Sequence, residues 1–409
     1  MSQLRVACAV ALTSLAVGVA AAQTTAARVL AVGDIHGALD AFVEILQKAE
    51  LVDTERRWIG GNATLVQTGD YTDRGPGVRA VLDLLIELER QAARSKGRVI
   101  TLLGNHEVMN MIGELRDATP AIFATFADAQ SENRRERAYR DYVSLAEARA
   151  RVRPTVPEVY TVPREDWMAA HPLGWLEYRA AFGPKGRYGA WLRKRGVSVI
   201  VDGTLFMHAG ADPATDLQVA QVETRVAAEL ERVDRFYQRL VARRLALPFF
   251  SLNEMLQVAA GEIRAVNAIV AAAKEKGEQP DLSGFDLDVL REGAEVLTIA
   301  DWYLLGESGP LWYRGYAAAP EASLREPVAS FLSRHKIGRI VVGHTPQQVR
   351  RIVTRLGGSV VLIDTGMLAS SYQGRASALE IVGDRLAAIY PDGRMPLTPG
   401  PQLEVALQR

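Results

Sequence analysis

Four short apolar runs in this chain each end in a turn that contains glycine, and they constrain the fold more than any other feature. The runs span residues 28–32, 64–68, 99–103 and 340–342. Short, uninterrupted apolar runs are typical of strands that are buried on both faces. Amphipathic segments with helical spacing separate the first run from the second and the second from the third. The opening third of the chain therefore predicts a βαβαβ unit with a parallel sheet.

Glycine turns and helical patterns predict how the remainder of the chain is organised. Hairpins are expected at 198–207, 351–363 and 377–390. Two long stretches, about 113–195 and 216–305, lack the sheet pattern and are expected to be mainly helical insertions. We therefore predict an α/β fold with one domain at 23–392, followed by a loose, proline-rich tail at 393–409.

The first 22 residues have the three-part pattern of a signal peptide. Arg5 precedes an apolar run that is shorter than the ~20 residues needed to cross a bilayer, and small residues at 20–22 close it. We expect export, in a bacterium to the periplasm, with cleavage near Ala22 and no stable membrane anchor afterwards. The only cysteine, Cys8, lies in this leader, so any metal ligands of the mature chain must be nitrogen or oxygen atoms.

Charge composition argues against one class of partner. The chain has 48 basic and 48 acidic side chains, which cancel. Nonspecific binding to nucleic acid depends on an excess of positive charge. A nucleic-acid partner is therefore not expected.

Histidine is scarce in this chain and is concentrated at predicted strand ends. Of the 6 histidines, four directly follow strand candidates in turns that contain glycine: His36, His106, His208 and His344. Residues that follow parallel strands meet at the carboxyl edge of a sheet, where ligand sites form. The pattern therefore predicts that these imidazoles lie in one site.

Carboxylates, an amide and a guanidinium accompany these histidines. Asp34 and His36 stand two residues apart, so both side chains can face one ion. The segment 69–75 adds two carboxylates and the guanidinium of Arg74, which suits a phosphoryl group. Asn105 offers a neutral oxygen ligand to a divalent ion, and its neighbour His106 could transfer protons. The residue types thus indicate a metal site that handles phosphate.

The motifs GDIHG, GDYTDRG, GNHE, MHAG and VVGHT occur in this order. This series resembles the signature of calcineurin-like metallophosphoesterases of the phosphoprotein phosphatase family. The segments LWYRGY and GHTPQ resemble the bacterial-type branch called Shewanella-like protein phosphatases. The resemblance implies a central β-sandwich flanked by helices, with the two insertions outside it.

The resemblance also implies a role for each matching residue. Two divalent ions share a bridging hydroxide that attacks phosphorus, and manganese is the expected metal, with iron or zinc also compatible. His106 would be the general acid, Asp73 would orient it, and Arg74 and Arg314 would hold the phosphate, with Tyr372 as a further contact. The implied metal ligands are Asp34, His36, Asp70, Asn105, His208 and His344.

The function expected from this resemblance is hydrolysis of phosphomonoesters in phosphorylated protein, peptide or small-molecule substrates, on tyrosine or on serine and threonine. A dinucleoside polyphosphate hydrolase or a small-molecule phosphoesterase is the first alternative. The intact Asp73 favours the protein phosphatase branch, because the dinucleoside polyphosphate enzymes resemble this chain except at that aspartate. A non-catalytic binding module with the same fold is the second alternative.

Overall fold

The computed structural model describes residues 28–152, 162–215 and 218–397. Within these ranges the chain forms two β-sheets and a surrounding set of helices. The predicted signal peptide lies outside the described residues and stays a prediction.

The first sheet has six strands in the order β11-β10-β9-β1-β2-β3, and the predicted parallel unit forms one half of it. β1, β2 and β3 are parallel to one another, and β9 joins β1 antiparallel. The strands are β1 (Arg28–Val32), β2 (Thr64–Gln67), β3 (Arg98–Thr101), β9 (Ala378–Val382), β10 (Arg385–Tyr390) and β11 (Gly393–Leu397).

The second sheet has five strands in the order β4-β5-β6-β8-β7. Its three middle strands, β5, β6 and β8, are parallel, and the outer strands close the two predicted hairpins. The strands are β4 (Ser198–Val201), β5 (Thr204–Met207), β6 (Arg339–Val342), β7 (Val353–Arg355) and β8 (Val360–Leu362).

The two sheets pack face to face, which confirms the predicted sandwich. Val29 and Ala31 of β1 share one apolar cluster with Phe206 of β5 and Val341 of β6. The neighbouring residue Leu30 belongs to a second cluster, which the helices cover. Successive side chains of a strand point to opposite faces, so a strand with apolar residues throughout supplies both layers.

Helices form the outer layer and the two insertions. The sandwich carries α1 (Leu39–Lys48), α2 (Val78–Arg94), α3 (Asn105–Ile112), α12 (Gly315–Ala318), α13 (Glu321–His335) and α14 (Ala369–Tyr372). The first insertion contributes α4 (Pro120–Ala124), α5 (Ser131–Val152), α6 (Arg164–Ala170), α7 (Trp175–Phe182) and α8 (Arg187–Leu192).

The second insertion is mainly helical, as predicted, and contains α9 (Val219–Ala242), α10 (Leu252–Lys276) and α11 (Leu287–Val296). α10 is long and apolar enough to cross a membrane by length and composition alone. Its sequence also fits a helix within this helical layer. It begins with a capping box, in which Ser251 and Glu254 bond to each other's backbone N–H. Met255 and Ala259 belong to the same apolar cluster as Phe236 of α9.

The predicted loose tail at 393–409 is wrong in its first five residues. Gly393–Leu397 forms β11, which pairs antiparallel with β10 at the edge of the first sheet. The proline content of the segment suggested a loop, but Pro396 lies on an edge strand, where a missing backbone N–H is tolerated. The sheet therefore continues past residue 392, and residues 398–409 lie outside the described part.

Candidate metal centre

The predicted site residues follow parallel strands of both sheets. Asp34 and His36 come after β1, Asp70 after β2, and Asn105 and His106 begin α3 just after β3. His208 follows β5 and His344 follows β6 in the second sheet. The backbone N–H of His344 donates to Asp34 Oδ1 at 2.9 Å, which links the two sheets at this edge. The sandwich thus brings all four strand-end histidines together, as the sequence predicted.

One cluster gathers four of the predicted ligand residues. His208 Nε2 lies 2.9 Å from Asn105 Oδ1, 3.1 Å from His344 Nδ1 and 3.3 Å from Asp70 Oδ2. The other ring nitrogen of His208 lies 3.1 Å from the carbonyl oxygen of Thr68, to which it can donate. A bond of this kind fixes the ring and leaves Nε2 free to bind a metal.

A second cluster shares Asp70 with the first. His36 Nε2 lies 3.7 Å from Asp70 Oδ2 and 4.0 Å from Asp34 Oδ2. His36 Nδ1 lies 2.9 Å from the carbonyl oxygen of Thr72, to which it can donate, so Nε2 is again the nitrogen that carries the lone pair. Nitrogen or oxygen atoms of His36, Asp70 and His106 lie within 4.8 Å of one another, as do those of Asp70, His208 and His344. The arrangement therefore offers two adjacent ligand sets with a common carboxylate.

The protonation states suit a pair of cations. Burial lowers the pKa of His36 to about 3 and that of His344 to about 2, so both rings are neutral and have a lone pair to offer. Burial by itself raises the pKa of Asp70, but the neighbouring histidines, His208 first, outweigh it and hold that pKa well below 3.8. Asp70 is therefore ionised and can bridge two ions.

Asp364 is a member of this site that the sequence reasoning missed. It follows β8 and is buried, and burial, followed by the charge of Asp70, raises its pKa to about 6. Burial and the charge of Asp364 also raise the pKa of Asp34 well above 3.8. Asp364 Oδ2 has no hydrogen-bond donor as a partner among the described residues. The other oxygen, Oδ1, accepts from the backbone N–H of Gly366 at 2.9 Å. A buried carboxylate oxygen without a donor, beside two further carboxylates, is suited to binding a cation.

The signal for Asp364 was present in the sequence. Apolar residues 360–363 precede an Asp-Thr-Gly turn, which repeats the pattern of strand, polar residue and glycine seen at the other sites. The sequence predicts a hairpin at 351–363, and that hairpin is confirmed. Its last strand also lies parallel to β6, which places Asp364 at the same edge as His344.

Glu107 organises the loop that follows β2. Its two carboxylate oxygens accept hydrogen bonds from the backbone N–H groups of Asp70, Tyr71, Thr72 and Gly104 at 2.7 to 3.0 Å. The hydroxyl of Thr72 donates a further bond at 2.8 Å. An ionised carboxylate can accept this many hydrogen bonds because it has two oxygens and no donor of its own. Glu107 thus fixes the backbone that carries Asp70, the carboxylate common to both clusters.

Glycine is required at position 104 because the loop after β2 lies against it. A Cβ atom at this position would lie 2.5 Å from the backbone nitrogen of Asp70 and 2.9 Å from Glu107 Oε2. Both distances are shorter than van der Waals contact, and the backbone of Asp70 could not move without shifting its carboxylate. The glycine in the GNHE motif therefore permits the close approach of the loops that follow β2 and β3.

His106 differs from the other histidines in its partner. Its Nδ1 donates to the buried carboxylate of Asp73 at 2.7 Å, and its Nε2 lies 3.9 Å from Asp70 Oδ2. Burial lowers the pKa of His106, but the charge of Asp70 and the hydrogen bond to Asp73 outweigh it, so the pKa is raised. The ring can therefore carry a proton on the nitrogen that faces the two clusters.

Arg74, Tyr372 and Arg314 lie at the rim of the site. Arg74 Nη1 lies 2.6 Å from His36 Nε2 and also donates to the hydroxyl of Tyr372, whose ring stacks on His36 with centroids 5.6 Å apart. Arg314 is exposed, and its Nη1 lies 3.3 Å from both the carbonyl oxygen of His344 and the hydroxyl of Thr345. The three side chains therefore surround the place where a phosphate could meet the clusters.

The loops of the site are held in an unusual backbone conformation. Positive φ angles of 47° to 67° occur at five non-glycine residues: His36, Asp70, Asp73, Arg74 and His344. Such angles are uncommon outside glycine and persist where the surrounding contacts enforce them. These five are among the 14 non-glycine residues with positive φ in the described part of the chain, and all five lie in the sequence motifs of the site.

Comparisons with known proteins agree with this geometry. Residues 27–211 match the family model described as calcineurin-like phosphoesterase. An uncharacterised protein of Schizosaccharomyces pombe is 27 % identical over 358 residues, which are 86 % of this chain and 76 % of that protein. Shewanella-like protein phosphatase 2 of Arabidopsis thaliana is 42 % identical over 92 residues. That match spans only 22 % of this chain and 24 % of the relative.

A solved structure shares the fold. The crystal structure of a cold-active protein-tyrosine phosphatase from a psychrophilic Shewanella species matches with a TM-score of 0.54 and 22 % identity. The match covers 91 % of this chain and 81 % of that one. With the motifs at the strand ends, these comparisons confirm the resemblance predicted from the sequence. Residues 27–211 form a calcineurin-like phosphoesterase domain, the chain is similar to Shewanella-like protein phosphatases, and it is a metal-dependent phosphoester hydrolase.

Proposed function

We propose that this protein is an exported phosphatase that hydrolyses phosphomonoesters of phosphorylated proteins or peptides with two bound divalent ions. The observation that carries the proposal is the carboxylate of Asp70, which lies within reach of two ligand clusters at once. A carboxylate shared between two sets of nitrogen and oxygen ligands is the arrangement that a dimetal hydrolase requires.

The six predicted ligands would hold the ions in two overlapping sets. Asp34 and His36 belong to one set and Asn105, His208 and His344 to the other, with Asp70 in both. When bound, two divalent ions activate water and polarise the phosphoryl oxygens. All the ligand atoms are nitrogen or oxygen, which suits manganese, iron or zinc, and we propose manganese.

His106 would act as the general acid. Its Nδ1 is occupied by Asp73, so the proton available for transfer is on Nε2, the nitrogen that faces Asp70. The alkoxide or phenoxide that leaves a phosphomonoester is a poor leaving group until it receives a proton. The buried Asp73 would hold the ring in place and stabilise its charged form.

The two arginines would bind the phosphate. Arg74 and Arg314 approach the clusters from different loops, so their guanidinium groups can contact different oxygens of one phosphoryl group. Tyr372 packs against both His36 and Arg74 and would keep this guanidinium over the site. Positive charge placed in advance at these oxygens stabilises the charge that develops in the transition state.

The location is proposed from the leader alone. A basic start, a short apolar run and three small residues before Gln23 favour cleavage by signal peptidase and a periplasmic enzyme. Amino-terminal sequencing of the protein isolated from the periplasm of its host would test the cleavage. A mature chain that still carries residues 1–22 would contradict the proposal.

Activity measurements with matched variants test the proposed function. The chain without its leader, loaded with Mn²⁺, should release phosphate from phosphotyrosine and phosphothreonine peptides of equal sequence, and the ratio of the two rates defines the residue preference. His106→Asn should lower turnover by about 100-fold or more while metal content, measured by mass spectrometry, stays unchanged.

The control is His335→Asn, which changes a histidine on α13 outside the clusters. Full activity in His106→Asn would remove the general acid from the mechanism, and loss of metal in that variant would make His106 a ligand instead. Hydrolysis of dinucleoside polyphosphates but not of phosphopeptides would favour the first alternative function. No hydrolysis of any phosphoester would favour the binding module.

A further inference from the structure

We propose that Tyr178, a residue of the first insertion, is a positioning residue for the general acid and acts through Asn110. The inference rests on the proposed function and extends it, because it assigns a task to an insertion that the sequence motifs do not include. Three hydrogen bonds connect the hydroxyl of Tyr178 to the ring of His106.

The connection runs through buried side chains only. The hydroxyl of Tyr178 donates to Asn110 Oδ1 at 2.5 Å, and Asn110 Nδ2 donates to Asp73 Oδ1 at 2.9 Å. The other oxygen of Asp73 accepts from His106 Nδ1 at 2.7 Å. All four residues are buried, at 0 to 3 % exposure, so water does not compete for these bonds.

Tyr178 reinforces the direction in which the amide of Asn110 points. With its oxygen bonded to the tyrosine hydroxyl, the amide turns both of its N–H groups inward, one to Asp73 and one to the carbonyl oxygen of His106 at 2.8 Å. The reversed amide would place its oxygen against the carboxylate of Asp73, which is repulsive. The tyrosine therefore holds a donor on Asp73, and Asp73 in turn holds His106.

The insertion keeps Tyr178 itself in place. Its ring lies in an aromatic cluster of the same insertion, with centroids 5.2 Å from Phe123, 4.9 Å from Phe126 and 4.5 Å from Phe182. Side chains packed in this way have one preferred rotamer. The hydroxyl is thus presented from a rigid platform, and the position of His106 depends on how that platform packs against α3.

Substrates with different leaving groups distinguish a positioning role of Tyr178 from a merely structural one. Phenol is a poor leaving group and needs a proton, whereas 2,4-dinitrophenol leaves as a stable anion. Tyr178→Phe should therefore lower kcat/KM for phenyl phosphate by about 3-fold to 10-fold, the range of one lost hydrogen bond. The value for 2,4-dinitrophenyl phosphate should change by less than about twofold.

Tyr188→Phe is the matched control. It removes the same atom from a buried tyrosine of the same insertion, whose hydroxyl donates to Asp83 on α2 at 2.9 Å instead of to the site. Both esters should change equally in this variant. Asn110→Ala removes the next residue of the connection. It should lower kcat/KM for phenyl phosphate selectively and by more than Tyr178→Phe does, with unchanged metal content. It serves as the second test if Tyr178→Phe folds poorly.

The outcomes separate the inference from the function on which it rests. If Tyr178→Phe and Asn110→Ala keep the wild-type ratio of the two rates, or lose both activities equally, the positioning role is wrong and the phosphatase function stands. If the wild-type protein hydrolyses neither ester, the proposed function and the inference fail together. A selective loss with phenyl phosphate supports both.

Discussion

The paired carboxyl groups of Asp34 and Asp364 allow a quantitative prediction for the metal-free protein. Burial and the neighbouring carboxylates raise the pKa of Asp364 from 3.8 to about 6. A group with a higher pKa in the folded state binds its proton more tightly there than in the unfolded chain. Folding is therefore penalised once the proton is lost. This penalty is absent below pH 3.8, grows up to about pH 6 and is complete above that.

The size of the penalty follows from the difference in pKa. At 1.36 kcal/mol per pKa unit, a rise from 3.8 to about 6 corresponds to about 3 kcal/mol. Asp364→Asn removes one of the two charges and gives Asp34 an amide N–H as a donor. We therefore expect the free energy of unfolding of the metal-free variant to exceed that of the wild type by up to about 3 kcal/mol at pH 8 and by almost nothing at pH 4.

Urea titrations at these two pH values, after chelation and dialysis, measure the difference. With saturating Mn²⁺ the advantage of the variant should shrink or reverse, because a bound cation already neutralises the repulsion that the substitution removes. The same stabilisation at pH 4 and pH 8 would refute this account, since a gain from better packing does not depend on the protonation of Asp364. A destabilised metal-free variant at pH 8 would refute it as well.

Three further substitutions test other parts of the site. Asp70→Asn should lower metal content from about two ions per chain to less than one, because both ligand sets lose their shared carboxylate; unchanged occupancy by mass spectrometry would disprove the bridge. Glu107→Gln should lower the free energy of unfolding, measured in urea, by about 3 kcal/mol. The amide N–H₂ of glutamine would face at least two of the N–H and O–H donors that now bond to the carboxylate. Unchanged stability would show that the loop does not depend on Glu107. Arg314→Ala should lower kcat/KM for phosphopeptides by about tenfold or more through the loss of a charged hydrogen bond, whereas an unchanged value would exclude this guanidinium from phosphate binding.

The sequence by itself determined the parts of this protein that depend on neighbouring residues. Apolar runs that end in glycine turns predicted β1, β2, β3 and β6, because buried strands need continuous apolar residues and sharp turns need glycine. The polar residues in those turns predicted which side chains cluster, since a parallel sheet collects its strand ends at one edge. The helical insertions were predicted from two long stretches that lack the strand pattern.

Only the tertiary structure decided which groups meet across the molecule. Asp364 joins Asp34 because β8 lies parallel to β6 in the facing sheet, and Tyr178 reaches Asn110 because the first insertion packs on α3. β11 forms because β10 offers an open edge, although its own sequence suggests a loop. Local patterns fix which element a segment prefers, whereas contacts between distant segments depend on the packing of whole faces, and no short stretch of sequence encodes that packing.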